Sequence, residues 1–365
     1  MGRRKIFHIV TTIERGGAEN AIMTLAKAQV LKGYEVNVIP LKGLPELQLD
    51  LEKNGVGVLL SSLNKKVLHQ IRSLREVVAQ DAIVHAHLPR AEIFCRIAFG
   101  KGRTILTRHN SEKFFPAAPR YLSSLLSRWV SKGSNLIAIS NAVLAFLKDN
   151  NEIHRSCTSS VIYYGYERTS IPKGNGIQGS RKNDVFRIGT VSRLASQKNL
   201  PLLLRVTRNL LSVGYDIVTT IVGSGPLEVE LKAMAVDLNV EERIHFLGRK
   251  SEIMKYLETL DLFVLTSKYE GFGLALLEAM DANLPVVAPD NSAIPEVLGL
   301  DHPGLFISGS LASLSSQVSK FIEDGQLRDF TRAYQNSRLD MFSVARYVDN
   351  HEQIYLKLKY PQKSS

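Results

Sequence analysis

The chain has 365 residues, of which 44% are hydrophobic and 22% are charged. This is an ordinary globular composition, and the length exceeds what one hydrophobic core organises, so we expect two domains. The two cysteines are too few for a disulfide framework or a cysteine metal site, and no apolar run is long enough to cross a bilayer. A cytoplasmic protein is therefore expected.

The net charge of +11 is the unusual figure. Residues 1–165 carry 23 Lys and Arg against 12 Asp and Glu, whereas residues 166–365 carry 23 of each. Such an excess favours a polyanionic partner: a nucleic acid, a phosphorylated substrate or an anionic membrane. Nucleic acid is disfavoured, because the basic residues are not interleaved with aromatics and no nucleic-acid-binding module is recognisable.

Short β-rich runs alternate with helical patterns along the whole chain, which predicts an α/β fold with parallel sheets covered by helices. Strands are predicted in the first half near residues 5–13, 34–41, 55–60, 82–88, 103–108, 135–139 and 160–164. Helical patterns lie between them near residues 17–32, 64–79, 90–99, 119–132 and 141–149. The glycine-rich, polar stretch 170–184 then predicts a linker.

The same alternation restarts after the linker. Strands are predicted near residues 186–191, 217–222, 243–247, 261–266, 285–288 and 304–307. We therefore predict two doubly wound, Rossmann-like domains, residues 1–169 and 185–342, with a last helix over 343–360 that packs back on the first domain. Ligands of such sheets bind at the carboxyl ends of the strands, so the loops there are the candidate sites.

The most informative loop lies in the second domain. An apolar strand ends at Leu265, the loop Glu270-Gly271-Phe272-Gly273 follows, and a helix is predicted from Leu274. Glycines let backbone N–H groups approach a ligand, and the following helix N-terminus is an anion site. Glu278 lies about 6 Å into that helix, where a carboxylate suits a sugar hydroxyl better than a phosphate. Glu270, at the mouth of the loop, is free to face the far side of a diphosphate.

A second strand-to-helix loop carries two cations. The first strand of the second domain ends near Ser192, and Arg193 and Lys198 follow before the helix signal of Asn199 and Pro201. Two fixed cations at this edge can hold a diphosphate and neutralise a leaving group. Alone they are ordinary surface cations, but together with the glycine loop they form a candidate pyrophosphate clamp.

Two loops of the first domain are weaker candidates. Gly16-Gly17, at the first strand-to-helix turn, can present backbone N–H groups to an anion, although paired glycines more often mark only a tight turn. His85 and His87 share one strand face, which suggests a metal pair, but no carboxylate or cysteine accompanies them at ligand spacing. We expect a structural role for His85, no metal site, and a cleft-facing position for His109.

The segment 119–132 has one apolar helical stripe. Its members are Tyr121, Leu122, Leu125, Leu126, Trp129 and Val130. Such stripes usually pack on a sheet, and that is the expectation here. The alternative is an interfacial patch, favoured by Phe114-Phe115 just upstream and by the basic surroundings.

These motifs together resemble the retaining glycosyltransferases of group 1 (family 4), which have the GT-B fold. The resemblance extends over nearly the whole chain. It is carried by Glu270–Glu278, Ser192-Arg193-Leu194, Gln197-Lys198-Asn199, Gly16–Glu19, Ile83–His87, Ile137–Asn141, Val222–Pro226, Phe246–Gly248 and Pro285–Val297. One departure is Tyr163-Tyr164-Gly165, which stands where the family usually has an Asn-Gly pair, and Asn283-Leu284 replaces a customary glycine-containing turn.

The resemblance implies a site for a nucleotide diphosphate sugar between two Rossmann-like domains that face a central cleft. Arg193 and Lys198 would bind the diphosphate, Glu278 the ribose, and Glu270 with the Gly271–Leu274 backbone the donor sugar. Gly248 and Arg249 would flank the nucleobase. Gly16 and Gly17 would approach the diphosphate from the other domain, and His109 would face the transferred sugar. Family chemistry is retaining and requires no metal and no other cofactor.

The resulting hypothesis is a metal-independent hexosyltransferase of cell-envelope polysaccharide synthesis. The expected donor is a UDP-sugar, and the expected acceptor is a hydroxyl of a glycolipid or of a polyprenyl-phosphate-linked glycan. The surplus charge of the first half favours a peripheral position on the anionic inner face of the plasma membrane. The alternatives are a GT-B epimerase or hydrolase that acts on the nucleotide sugar itself, and a non-catalytic nucleotide-sugar-binding scaffold.

Overall fold

The computed structural model describes residues 4–169 and 185–358. The described residues up to Glu167, together with those from Phe342 onward, form one compact unit. The second unit is formed by the described residues between Arg168 and Met341. The predicted linker, 170–184, lies outside the described residues.

The first unit is built on a seven-stranded parallel sheet. Its strands are Lys5–Val10 (β1), Glu35–Pro40 (β2), Gly57–Val58 (β3), Ile83–His87 (β4), Thr104–Arg108 (β5), Asn135–Ala138 (β6) and Thr158–Val161 (β7). The strand order is β3-β2-β1-β4-β5-β6-β7, so the direction of winding reverses between β1 and β4. Strands β4 and β5 are buried at every position, as expected of parallel strands covered on both faces.

Helices connect these strands. They are Gly17–Leu31 (α1), Gln48–Lys53 (α2), Val67–Val77 (α3), Pro89–Phe99 (α4), Arg120–Ser131 (α5) and Asn141–Asp149 (α6). The sequence pattern did not indicate α2, which is short and buries only Leu51. The core between this sheet and its helices includes Ile9, Leu74, Val84 and Leu106, each at most 1% exposed.

The second unit is built on a six-stranded parallel sheet of the same kind. Its strands are Phe186–Val191 (β8), Ile217–Val222 (β9), Ile244–Gly248 (β10), Leu262–Val264 (β11), Val286–Pro289 (β12) and Leu305–Phe306 (β13). The order is β10-β9-β8-β11-β12-β13, which reverses between β8 and β11. That reversal opens a crevice at the carboxyl ends of the two strands.

The helices of the second unit follow its strands. They are Leu200–Ser212 (α7), Glu228–Asp237 (α8), Ile253–Leu257 (α9), Leu274–Asp281 (α10), Ile294–Leu298 (α11), Leu311–Glu323 (α12) and Gly325–Leu339 (α13). Short 3-10 turns cover Ser196–Lys198, Glu241–Arg243 and Asp340–Phe342. The prediction of two doubly wound α/β domains is confirmed.

The last helix, Val344–Leu356 (α14), belongs to the first unit and packs on α1. Gln29 Nε2 of α1 donates to the Tyr355 hydroxyl at 2.9 Å, and Lys32 Nζ donates to Glu352 Oε2 at 2.6 Å. Tyr347, Val348 and Tyr355 supply its buried apolar face. Among the described residues, no helix is both long and apolar enough to span a membrane.

The expected packing of the 119–132 stripe is wrong. In α5 the buried face consists of Ser123, Ser124, Ser127, Val130 and Ser131, whereas most of the apolar stripe is exposed. The serines face inward because they form hydrogen bonds with buried polar groups, such as those of Ser127 with the Arg108 guanidinium and the Glu152 carbonyl.

Candidate active site

The two predicted loops of the second unit are in contact. The loop after β8 and the loop after β11 meet in the crevice between those strands. Lys268 N donates to the Gln197 carbonyl at 2.8 Å, Gln197 Nε2 donates to the Tyr269 carbonyl at 2.9 Å, and Thr266 Oγ1 donates to the Lys198 carbonyl at 2.8 Å. The candidate clamp and the glycine loop are therefore parts of one site.

Lys198 and Glu270 form an ion pair inside this site. Lys198 Nζ lies 2.7 Å from Glu270 Oε1, and their side chains are 20% and 8% exposed. Ser267 Oγ donates to the same carboxylate oxygen at 2.6 Å. The sequence predicted that Glu270 faces a ligand, and nothing in the structure tests that contact. What the structure adds is that its Oε1 atom holds the Lys198 ammonium. This bond uses one of the three N–H donors of the ammonium, so the group can still bind a phosphate.

The backbone of the glycine loop is held on both sides. Glu270 N donates to Ser292 Oγ at 3.0 Å, and the Phe272 side chain is buried at 2% exposure. Gly273 has a φ of +98°, a left-handed conformation that favours glycine, and α10 begins directly after it at Leu274. The N–H groups of the first turn of α10 thus open on the same crevice as Lys198.

Glu278 lies one turn into α10 and is half-buried. Burial alone raises the pKa of Glu278 to about 6. Desolvation is the cause of this change, so the ionised form of the Glu278 carboxyl is poorly solvated and is disfavoured relative to the protonated form. A group of that kind is suited to accept hydroxyl hydrogen bonds from a ligand.

The loops after β9 and β10 adjoin the Arg193 loop. A Cβ on Gly223 would lie 1.9 Å from the Ser192 carbonyl oxygen, and one on Gly225 would lie 2.4 Å from the Leu194 carbonyl oxygen. These glycines are therefore required for close packing of two loops. Gly223 N donates to the Gly248 carbonyl at 2.9 Å, which brings the Gly248-Arg249 turn alongside. Arg193 and Arg249 are both exposed.

The Gly16-Gly17 turn of the first unit precedes α1, with Gly16 at its N-cap. The carboxylate of Glu19 folds back toward this turn: a Cβ on Gly16 would lie 2.5 Å from Glu19 Oε2. Thr12 Oγ1 donates to Glu19 Oε1 at 2.9 Å, and burial raises the pKa of Glu19. The positive end of α1 is therefore already met by an acidic side chain of its own first turn.

His109 follows β5 and is buried at 8% exposure, between two partners. His109 Nε2 lies 3.0 Å from His87 Nδ1, and His109 Nδ1 lies 2.5 Å from the Tyr164 hydroxyl. Burial lowers the pKa of His109 to about 3, so its imidazole is neutral at physiological pH. His109 also lines a cavity of about 210 Å³ together with Asn110 and Lys113.

His109 is the end of a buried hydrogen-bonded chain that the sequence did not reveal. His8 Nε2 donates to Gln29 Oε1 at 2.7 Å, so its Nδ1 is the acceptor for His87 Nε2 at 2.9 Å. By the same logic His109 Nε2 donates to His87 Nδ1, and the Tyr164 hydroxyl donates to His109 Nδ1. The orientation of the Gln29 amide thus sets the tautomer of three successive histidines.

His85 and His87, which the sequence suggested as a metal pair, form a compact group with His8. Ligand atoms of His8, His85 and His87 lie within 4.8 Å of one another. The two nitrogens of His85 contact the Tyr355 hydroxyl at 3.0 Å and Thr107 Oγ1 at 2.6 Å. With the bonds of His8 and His87, all six ring nitrogens of this group have protein partners, so the geometry favours a hydrogen-bonded network.

A buried ion pair next to His109 was missed. The Arg108 guanidinium lies 2.8 Å from Glu92 Oε2 and 3.4 Å from Glu152 Oε2, with all three side chains at most 5% exposed. The same guanidinium stacks 4.4 Å from the Phe114 ring centroid. Burial outweighs Arg108 and raises the pKa of Glu92 to about 7. A charged residue within the apolar β5 pattern was the available signal.

Two doubly wound α/β units in one chain form the GT-B architecture. A solved structure similar to this chain is Anabaena Alr3699/HepE in complex with UDP and glucose, with a TM-score of 0.79, 22% identity, and coverage of 98% of this chain and 100% of that chain. At that identity the likeness shows the fold alone.

The sequence comparisons give the family. The model "Glycosyl transferases group 1" matches residues 177–338, and the model "Glycosyltransferase Family 4" matches residues 15–169. The chain belongs to the group 1 glycosyltransferases.

Two curated relatives cover most of the chain. The N-acetylgalactosamine-N,N'-diacetylbacillosaminyl-diphospho-undecaprenol 4-alpha-N-acetylgalactosaminyltransferase of Campylobacter jejuni is 26% identical over 91% of this chain and 93% of that protein. The UDP-Gal:alpha-D-GlcNAc-diphosphoundecaprenol alpha-1,3-galactosyltransferase of Escherichia coli is 25% identical over 76% of this chain and 75% of that protein.

Proposed function

We propose that this protein transfers a hexose from a UDP-sugar to a hydroxyl of a polyprenyl-diphosphate-linked or other glycolipid acceptor, with retention of configuration and without a metal. The observation that carries the proposal is the Lys198–Glu270 pair beside the N-terminus of α10, at the point where the sheet of the second unit reverses. The names of the two relatives, which include undecaprenol-linked acceptors, support the acceptor class. UDP in the HepE complex supports the nucleotide.

The roles follow from chemistry and position. Arg193 and Lys198 bind the donor diphosphate, and Gly271, Phe272, Gly273 and Leu274 offer backbone N–H groups to it. Glu278 accepts hydrogen bonds from the ribose hydroxyls, and Gly248 and Arg249 flank the base. Glu270 acts by holding the Lys198 ammonium in place. Gly16, Gly17 and His109 of the first unit stay candidate donor contacts. The glycines would bind through backbone N–H groups after the Glu19 carboxylate moves aside, and His109 would exchange one of its hydrogen bonds, to His87 or to Tyr164, for one to the sugar.

The proposed reaction needs charge stabilisation more than a separate base. The bond from the anomeric carbon to the diphosphate oxygen breaks, and a bond to the acceptor oxygen forms on the same face. The acceptor hydroxyl proton passes to the departing diphosphate oxygen. Lys198 and Arg193 stabilise the negative charge that develops on that diphosphate, which is the task a divalent cation performs elsewhere.

A Lys198→Met variant tests the assignment. We expect turnover of a UDP-sugar with an undecaprenyl-diphosphate-linked acceptor to fall about 10²- to 10³-fold, the usual effect of removing one donor from a developing anion. Lys255→Met is the matched control, since the Lys255 side chain is 69% exposed and pairs with Glu252 three residues away. Thermal unfolding of both variants checks that the fold is kept.

Two results would contradict the proposal. Undiminished turnover in Lys198→Met would show that Lys198 does not hold the donor diphosphate. Consumption of the UDP-sugar at the same rate without any acceptor, followed by NMR of the sugar, would instead show an epimerase or a hydrolase.

A further inference from the structure

Helix α5 presents its apolar side chains outward. Tyr121 is 70% exposed, Leu125 is 60% exposed, and Leu122 and Trp129 are each 42% exposed. At 3.6 residues per turn these four occupy an arc of about 100° on one side of the helix. A surface helix ordinarily buries such an arc. In α5 the usual arrangement is inverted.

The opposite face of α5 is fixed by hydrogen bonds. Ser123 Oγ accepts from Phe115 N at 3.0 Å, and Ser124 Oγ donates to the Asn151 carbonyl at 2.5 Å. Ser127 Oγ donates to the Glu152 carbonyl at 2.6 Å and accepts from Arg108 Nη2 at 3.1 Å. Rotating the apolar arc inward would break these bonds and leave buried polar groups without partners, so the exposed arc is a stable feature of the fold.

Cations gather at the carboxyl end of the same helix. His154 N donates to Ser131 Oγ at 3.1 Å, which places His154 at that end. Lys132 and Arg155 adjoin Ser131 and His154 in the chain, and a Cβ on Gly133 would lie 3.6 Å from Lys101 Cγ. Desolvation lowers the pKa of His154, and repulsion from these cations and from Arg128 lowers it further. Lys101, Lys132 and Arg155 are exposed. The Arg96 guanidinium lies 5.5 Å from the Trp129 ring centroid, which joins the cations to the apolar arc.

We propose that α5 is the membrane-docking surface of this protein. Its apolar arc enters the boundary between headgroups and acyl chains, and the surrounding cations contact the phosphates of anionic lipids. Tyr and Trp are favoured at this depth because one end of each ring is polar. A second copy of the chain is a poorer occupant, because a two-fold contact would bring two such cationic clusters together.

The inference deepens the proposed function by naming where the enzyme meets the membrane, yet its test requires no sugar transfer. Trp129 is the single tryptophan of the chain, so fluorescence excited selectively from tryptophan reports on this surface alone. The full-length protein is titrated with vesicles of neutral phosphatidylcholine, and with vesicles that contain phosphatidylglycerol. We expect a blue shift and quenching by brominated lipids, with partitioning into anionic vesicles about tenfold stronger at low salt and weakened at high salt.

Three variants separate the contributions. Leu125→Glu should lower partitioning at least tenfold, and Lys132→Glu with Arg155→Glu should remove the preference for anionic lipid. Leu68→Glu on α3 is the control, since Leu68 is 84% exposed on another helix of the same unit. Nucleotide-sugar binding, measured without vesicles, should be the same in Leu125→Glu and in the unaltered chain, so loss of docking and loss of donor binding are distinguishable.

Equal partitioning into neutral and anionic vesicles, or unchanged partitioning of Leu125→Glu, would overturn the proposal. So would a Trp129 blue shift that follows protein concentration without vesicles, accompanied by a dimer mass in light scattering, because the occupant would then be a second copy.

Discussion

Replacement of Glu278 by Gln should have opposite effects on donor binding and on stability. The burial that raises the pKa of Glu278 from 4.5 to about 6 makes the carboxylate a poorly solvated acceptor. A bound ribose would supply the missing hydrogen bonds. Because bonds to a charged group contribute about 1.5–3 kcal/mol, Glu278→Gln should weaken UDP-sugar binding about tenfold or more at pH 7.5.

The same pKa gives the pH dependence of binding by the unaltered chain. With a pKa of about 6, the Glu278 carboxyl is roughly 97% ionised at pH 7.5 and about 9% ionised at pH 5. Donor affinity should therefore fall about tenfold over this range and approach that of Glu278→Gln, whose affinity stays level. A UDP-sugar is the proper probe, because its diphosphate is esterified at both ends and does not titrate here, whereas that of free UDP does.

Stability should change in the other direction. A carboxyl whose pKa is raised by folding stabilises the folded state fully only below its unfolded value of 4.5, and this stability is lost as the pH rises through about 6. The difference corresponds to about 2 kcal/mol at pH 7.5. Glu278→Gln should therefore unfold at a higher temperature than the unaltered chain at pH 7.5 and at the same temperature near pH 4.

The assay pairs calorimetric titration of a UDP-sugar with thermal unfolding at pH 5, 6 and 7.5. Glu230→Gln is the control, since Glu230 is exposed on α8 of the same unit. Donor affinity of the unaltered chain that stays constant from pH 5 to 7.5 would refute the reasoning. A Glu278→Gln protein that binds donor fully but is destabilised would refute it equally, because Glu278 would then be structural.

Two further substitutions test the first unit. Arg108→Leu leaves the buried carboxylates of Glu92 and Glu152 without a cationic partner. The free energy of unfolding in urea at pH 8 should therefore fall by about 3–5 kcal/mol. The loss should be smaller at pH 6, since the pKa of Glu92 is already raised to about 7 and the carboxyl takes up a proton; equal losses would contradict this. Gln29→Leu leaves His8 Nε2 without an acceptor, so ¹⁵N NMR should show His109 as the pure Nε2–H tautomer before the change and as a mixture after it. An Nδ1–H form of His109 in the unaltered chain would disprove the chain direction.

The alternation of strands and helices was enough to predict the architecture. The predicted starts of β8 and α10 agree with the structure, because strong apolar runs and glycine loops mark them. Boundaries failed where local signals were weak: β1 ends at Val10 and not at residue 13, and β7 is Thr158–Val161 and not 160–164. Short edge elements such as β7 and α2 are defined by tertiary contacts, which the local pattern does not contain.

The site was predicted as a set of residue types, but their pairing was not. Their positions in two loops at the carboxyl ends of strands predicted that Lys198 and Glu270 would each meet a ligand. The local pattern could not predict that residues 72 positions apart would pair directly. The supporting hydroxyls of Ser267 and Ser292 carry no signal of their own in the sequence. His8 did carry one, since a histidine inside an apolar strand requires buried partners, but the chain through His87 to His109 depends on the β1–β4 register.

The apolar stripe of α5 shows where pattern alone is ambiguous. A hydrophobic arc is the same in sequence whether it faces a sheet or a lipid. The residues on the opposite face of the helix therefore determine which face is buried. Here Arg108 and Glu152 are buried behind the helix and need polar partners, which Ser123 and Ser127 supply. The more specific signal is a face of four serines that lies opposite a Trp and Tyr stripe and near a buried Arg-Glu pair. This combination predicts that the apolar side chains of the helix point outward.

The distribution of charge now has a physical explanation in each unit. In the second unit Lys198, one of the two proposed diphosphate cations, is paired with Glu270, so its charge adds nothing to the net charge. In the first unit Arg108 is likewise neutralised inside, but Lys101, Lys132 and Arg155 are exposed around the end of α5. Lys198, proposed to hold a small ligand, has its position fixed by Glu270, whereas the cations proposed to meet a lipid surface act through their number. The +11 charge is therefore expected to affect membrane partitioning and its salt dependence, and to leave donor affinity nearly independent of ionic strength beyond the contacts of Arg193 and Lys198.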